Sequence, residues 1–187
     1  MKRFLLALPA LMLLTGCGMS ESLSSSMFGT PTEKEVEHMP DCPQTGVLAD
    51  ATFIPVFTGQ GLSDVGALGK LGGITGGCDF DKAGIAGMEI KITFLARKIK
   101  PELDIKKLDL PYFIAILTPD QQVLQRQNFS TKVDFDNTGY GVMVEEHELK
   151  IPVPTREAAA GYKVVVGYEL SPDQLAYNRK KEDKNAD

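Results

Sequence analysis

Asp134, Asp136, Thr138, Gly139 and Glu145 read DxDxTGx5E, one letter from a calcium-loop pattern. In that pattern carboxylate oxygens at the first, third and twelfth positions surround a hard cation, and glycine makes the sharp turn. Gly141 and Val142 stand where the loop uses an apolar anchor and a water-linked polar residue, and the flanks read as strands rather than helices. Asp136 to Gly139 therefore read first as a hairpin turn, with calcium binding as the alternative. His147 lies among Glu145, Glu146 and Glu148, which carry the pieces of an acid–base pair. Without a nucleophile or a second histidine beside it, it reads as a surface strand residue. Eight glycines between Gly59 and Gly77 invite comparison with a phosphate loop. Asp64 occupies the place of the earlier glycine, and Leu71 rather than Ser or Thr follows Lys70, so the segment reads as a mobile loop between strands, or a partner-binding loop. GxSxG and SxxK are absent, and a hydrolase of envelope polymers would need a carboxylate pair converging in a cleft.

Composition narrows the chemistry further. The 187 residues include 20 basic and 25 acidic side chains, a formal charge of −5. Removing Lys2 and Arg3 with a leader leaves 18 basic against 25 acidic, a charge of −7. Such a surface has no electrostatic grip on a phosphate backbone, so no nucleic-acid partner is expected. No Trp, two His and three Cys leave little material for a metal centre or a histidine-based catalytic machine, and no cofactor is expected.

Lys2 and Arg3 precede an apolar run from Phe4 to Leu14, and small residues then lead to Cys17, the order of an export signal. Spanning a bilayer as a helix takes about 20 residues, more than this run provides. Leu14, Thr15, Gly16 and Cys17 resemble the lipobox of bacterial lipoproteins. The resemblance implies a signal peptide over 1–16, cleavage before Cys17, a diacylglycerol on the Cys17 sulfur and an acyl group on the new amine. Several chains make such an anchor durable where one alone is marginal. Gly18 stands where an Asp would signal inner-membrane retention, so the resemblance implies the periplasmic face of the outer membrane. With Cys17 lipidated, Cys42 and Cys78 remain in an oxidising compartment and are expected to pair. Closing that loop stabilises by about 3–4 kcal/mol on the chain-entropy argument. The CxxC spacing of a redox pair is absent. The blocks DCP (Asp41 to Pro43), LPYF (Leu110 to Phe113) and YKVVVGYELSPDQLAYNR (Tyr162 to Arg179) make the mature chain similar to small periplasmic lipoproteins of Gram-negative bacteria.

Periodicity gives the strands and turns around these residues. Residues 17–40 are Ser-rich and then acidic and read as a flexible tether, reaching at most about 80 Å extended and roughly 27 Å as a coil. His38 falls in it as a solvated side chain. Beyond it the pattern is period two, which places alternate side chains on one sheet face. Met88, Ile90, Ile92, Phe94 and Ala96 alternate with polar residues, as do Phe129 to Phe135 and Tyr162 to Leu170. Tyr112 to Leu117 is apolar on both faces, a central strand, and Thr118, Pro119 and Asp120 turn it into a hairpin with Val123 to Asn128. Val47 to Phe57 is a strand candidate that Pro55 confines to an edge or bulge. A short strand near Cys78 and one over Tyr140 to Lys150 complete about seven. Ser171, Pro172 and Gln174 form a capping box opening a short C-terminal helix, with Leu175 and Tyr177 for apolar contacts, and Glu182 to Asp187 read as a frayed tail.

The expected architecture is all-β: an immunoglobulin-like antiparallel β-sandwich over 41–181 with a short C-terminal helix. An α+β domain is the alternative if Gly59 to Lys70 and Lys98 to Lys107 are helical. The expected role is a non-catalytic structural or interaction module of the cell envelope, lipid-anchored and engaging an envelope protein through sheet edges or the glycine-rich loop. A small-ligand or calcium binder and an envelope polymer hydrolase are the alternatives.

Overall fold

The computed structural model describes residues 42–59, 61–62, 64–81 and 84–183. Cys17, His38 and the segment 17–40 lie outside the described residues. Among the described residues eight strands run in chain order: β1 (Gln44–Val47), β2 (Phe53–Phe57), β3 (Val65–Phe80), β4 (Ile85–Lys98), β5 (Lys107–Leu117), β6 (Val123–Asp134), β7 (Tyr140–Pro152) and β8 (Lys163–Tyr168). A helix, α1 (Pro172–Asp183), closes the chain. One sheet has the order β1-β8-β5-β6 and the other β2-β3-β4-β7.

The connections explain the fold class. β4 pairs with β7, and β5 pairs with β8, so the steps β4 to β5 and β7 to β8 each cross between the sheets and interlock. The same interlock joins the inner strands of an immunoglobulin-like sandwich, and the β5–β6 hairpin extends one sheet as such domains do. The last strand of that pattern is replaced. Its place beside β8 is taken by β1, which runs parallel to β8 from Gln44↔Lys163 to Val47↔Val166.

Alternation produces the core. In β4, Met88, Ile90, Ile92, Phe94 and Ala96 are all buried, and across the sandwich so are Leu108, Leu110, Tyr112, Ile114 and Ile116 of β5. Phe94 packs on Tyr112 at 4.7 Å between ring centroids and on Tyr168 at 6.3 Å. β5 lies between β8 and β6, and Phe113 and Ala115 on its other face are buried as well, so the doubly apolar segment is a central strand. Val123 to Asn128 and Phe129 to Asp134, which alternate differently, belong to one strand, β6, paired along its length with β5 and exposed on both faces over its first half. β2 is an edge strand, and its register shifts between Val56 and Phe57, where the Pro55 signal pointed.

Four expectations change. Val47 to Phe57 is not one strand: β1 ends at Val47, a 3-10 turn covers Ala49–Ala51, and β2 begins at Phe53. Gly59 to Gly77 is not a mobile loop: from Val65 onward it is part of β3, paired with β2 and along its length with β4. Glycine there answers to crowding, since a Cβ at Gly69 would stand 2.6 Å from Leu110 Cδ2 and 2.7 Å from Ile54 Cγ2. The turn at Asp136 to Gly139 is tight, but it joins β6 in one sheet to β7 in the other rather than two neighbours of a hairpin. Helix α1 extends through Asp183, two residues into the stretch expected to fray.

The capping box at α1 forms reciprocally: Ser171 N–H donates to Gln174 Oε1 at 2.8 Å, and Gln174 N–H donates to Ser171 Oγ at 3.3 Å. Tyr177 meets Phe57 edge-on at 6.0 Å. The tighter attachment is polar. Asn178, 2% exposed, donates from Nδ2 to the carbonyls of Asp50 (2.7 Å) and Phe53 (2.8 Å), pinning the helix to the segment entering β2.

Candidate functional site

Where the two sheets end, β6 and β7 lie on the same side of the sandwich, and between them sits a cluster of ionisable side chains. Strand pairing brings it together. Tyr112 of β5 faces Phe129 of β6 in register, while Glu145 and His147, two apart on β7, share one face opposite Ile92 and Ile90 of β4. Tyr112 is fully buried, and its ring stacks on Phe129 at 5.4 Å. Phe129 meets the imidazole of His147 edge-on at 4.6 Å.

The Tyr112 hydroxyl reaches both acid and base. It donates to Glu145 Oε2 and lies 2.8 Å from His147 Nε2. Because the phenol has one proton and spends it on the carboxylate, a neutral His147 meets the phenol oxygen as the Nε2–H tautomer. Glu145 Oε2 and His147 Nε2 are 3.6 Å apart, with side chains 30% and 15% exposed. Burial first, and then the bond to Glu145, raise the Tyr112 phenol far above its ordinary value. The hydroxyl therefore keeps its proton and donates it to the Glu145 carboxylate. The arrangement bolts the rim of one sheet to the rim of the other with hydrogen bonds shielded by Phe129 and Phe94.

This corrects the reading of His147 as a surface residue. Its signal lay in the period of β7, since Glu145, His147, Leu149 and Ile151 fall on one face and the last two are core residues. The calcium pattern is not assembled. Asp134 pairs with Lys107 Nζ at 3.0 Å. Asp136 Oδ1 accepts from Thr138 N–H at 2.8 Å, Thr138 Oγ1–H at 2.6 Å and Tyr140 N–H at 3.0 Å. Those bonds, led by the Thr138 hydroxyl, hold the Asp136 carboxyl below its usual range. Glu145 is committed to Tyr112. Among the described residues no group of three or more His, Cys, Asp or Glu is placed to hold a metal ion.

Two further features complete the surface. A groove of about 490 Å³ on the outer face of the β2-β3-β4-β7 sheet is lined by Asp79, Glu89, Glu148 and Lys150 over the bare backbone of Gly87. Near the other end of that sheet Lys70 and Lys181 approach the Phe53 ring, at 5.8 Å and 4.0 Å from its centroid. Cys42 and Cys78 form the expected disulfide, which links the start of β1 in one sheet to β3 in the other.

No family model and no curated protein matches the chain. Among solved structures it is similar to the variable (V) domain of the Streptococcus agalactiae AgI/II polypeptide BspA, at 12% sequence identity and a TM-score of 0.18, over 63% of this chain and 72% of that one.

Proposed function

We propose that the chain is a lipoprotein anchored through Cys17 at the periplasmic face of the outer membrane, and that its β-sandwich is a non-catalytic module that engages an envelope protein. The observation that carries this reading is the position of the disulfide. One residue, Pro43, separates Cys42 from β1, and β1 is a four-residue parallel strand held by few hydrogen bonds. A pull transmitted from an anchored N-terminus would peel such a strand. The Cys42–Cys78 bond instead passes the load into β3, the longest strand described, which is paired with β4 from Ala67 to Phe80. Disulfides persist in oxidising compartments, which agrees with export. The cysteine left over is Cys17 of the lipobox-like segment.

From Val65 onward the glycine-rich segment is built into β3 and offers no contact loop. Contact falls instead to the exposed sheet surface and edges, where Val123, Leu124, Tyr140, Val142 and Val144 stand open. Metabolic labelling with a fatty acid in a Gram-negative host, followed by fractionation and crosslinked pull-down, tests the reading. Label on the wild type, loss of label in Cys17→Ser and recovery of a specific envelope protein are expected. An unlabelled wild type, or recovery of lipid alone, contradicts it.

A further inference from the structure

One corner of the β2-β3-β4-β7 sheet carries the opposite sign to the chain's net charge of −5. Register puts Lys70 of β3 between Phe53 of β2 and Leu95 of β4, with Arg97 two residues along β4 on the same outward face. Helix α1 brings a third cation. Lys181, in its last turn, stands with Nζ 4.0 Å from the Phe53 ring centroid, and Lys70 Nζ is 5.8 Å from it. Among the described residues none of these three cations has an ion-pair partner, although Lys91, Lys100, Lys107, Arg126, Lys132 and Arg179 each sit beside a carboxylate. Glu89, Glu146 and Glu148 lie toward the other end of the face. Burial first, and then Lys70 and Arg97, hold the Lys181 ammonium below its ordinary value. The helix dipole favours a lysine in the last turn, but it gives no reason for Lys70 and Arg97 to gather against it.

We propose that this corner is an anion-binding site that takes a phosphate monoester group between Lys70, Arg97 and Lys181, beside the Phe53 ring. Charge selects the class. A carboxylate sets one negative charge against three positive ones, whereas a phosphate monoester brings close to two at neutral pH, on three acceptor oxygens. Arg97 offers a planar fork of donors, and the two ammoniums turn to meet the remaining oxygens. Lys70 and Lys181 are half-buried, so salt screens them less than it screens fully exposed lysines. The row from Phe53 through Lys70 continues to Leu95 and Val142, the last 64% exposed, and gives an apolar body attached to the phosphate a surface to lie on. The acidic remainder of the chain repels a polyanion, so the site suits a single phosphate group, carried by a soluble ester or by a lipid headgroup. It requires neither the anchor nor an envelope partner.

Thermal unfolding of the full chain in neutral detergent micelles, at an ionic strength held constant with chloride, tests it. Inorganic phosphate at about 20 mM should raise the midpoint by about 3 °C or more, and acetate should not. Phosphate also stabilises proteins by exclusion from their surface, so the variants carry the decision. Lys70→Gln and Lys181→Gln should each remove at least half of the shift. Lys132→Gln, whose lysine pairs with Asp109 in the other sheet, should keep it in full. Doping the micelles with phosphatidic acid separates the sources: a shift that Lys181→Gln loses assigns a lipid headgroup, and no shift beside the one from inorganic phosphate assigns a soluble ester. No shift from phosphate, an equal shift from acetate, or a phosphate shift that Lys70→Gln and Lys181→Gln retain in full overturns the proposal.

Discussion

Tyr112 shows how one side chain can serve as both core and bolt. Its ring fills the space between Phe94 and Phe129, and its hydroxyl spends its proton on Glu145 while His147 meets it from the other side. Tyr168 is equally buried, but its hydroxyl finds no hydrogen-bond partner among the described residues. Burial raises both phenols above the ordinary value of 10.0, joined at Tyr112 by the bond to Glu145. A raised folded value means that the unfolded chain releases these protons first. The stabilisation is therefore complete below about pH 10 and fades as the pH climbs past it. In an alkaline titration the absorbance of these two phenolates should rise only with unfolding, and Tyr112→Phe should reduce the protons released on unfolding by about one. An unchanged count contradicts the assignment. Tyr168→Phe removes an unsatisfied buried hydroxyl and should stabilise by about 1 kcal/mol in urea unfolding. At this scale the sequence was only partly legible. The period of β7 places His147 inward, but nothing near it in the chain announces Tyr112, which lies 35 residues away and meets it only through sandwich topology.

Among the elements, β3 departs furthest from its sequence signal. Glycine-rich composition reads as a loop, yet thirteen residues from Ala67 to Phe80 register with β4, with one irregularity between Leu71 and Gly73. Close approach explains the glycines at both ends of this strand. Gly69 faces Ile54 and Leu110, and a Cβ at Gly76 would stand 2.2 Å from the Glu89 carbonyl oxygen. Gly69→Val should therefore cost about 1–3 kcal/mol through overpacking, measured by urea unfolding, and a neutral result would show that Leu110 and Ile54 can yield. Helix α1 was legible at its start, where SxxQ is a local signal, but not in its docking. Asn178 reads as a solvated residue in a polar helix until β2 and the segment before it fold beneath it. Replacing it with Ala strands the Asp50 and Phe53 carbonyls and should cost about 2–3 kcal/mol, with loss of helical circular dichroism before global unfolding. Intact helical signal through the transition would contradict that docking role. Strands β4 and β5 were the most legible, because alternation and a doubly apolar run are consequences of local geometry that tertiary context did not override.

For the whole molecule, the sandwich came from period-two patterning, while the arrival of β1 beside β8 did not. A four-residue strand pairing in parallel across more than a hundred residues leaves no local trace. The disulfide compensates for its shortness, and replacing Cys42 and Cys78 together with Ser should lower stability by about 3–4 kcal/mol on the chain-entropy argument, read from urea unfolding. Such a clamp at the start of the domain makes mechanical sense if force reaches it from an anchored N-terminus. Intact-mass spectrometry of the protein extracted from its native membrane, without reduction, measures anchor and clamp together. The expected species is a chain beginning at Cys17 that carries diacylglyceryl and N-acyl groups, with Cys42 and Cys78 two hydrogens lighter than free thiols. A chain beginning at Met1, or an unmodified Cys17, would contradict it.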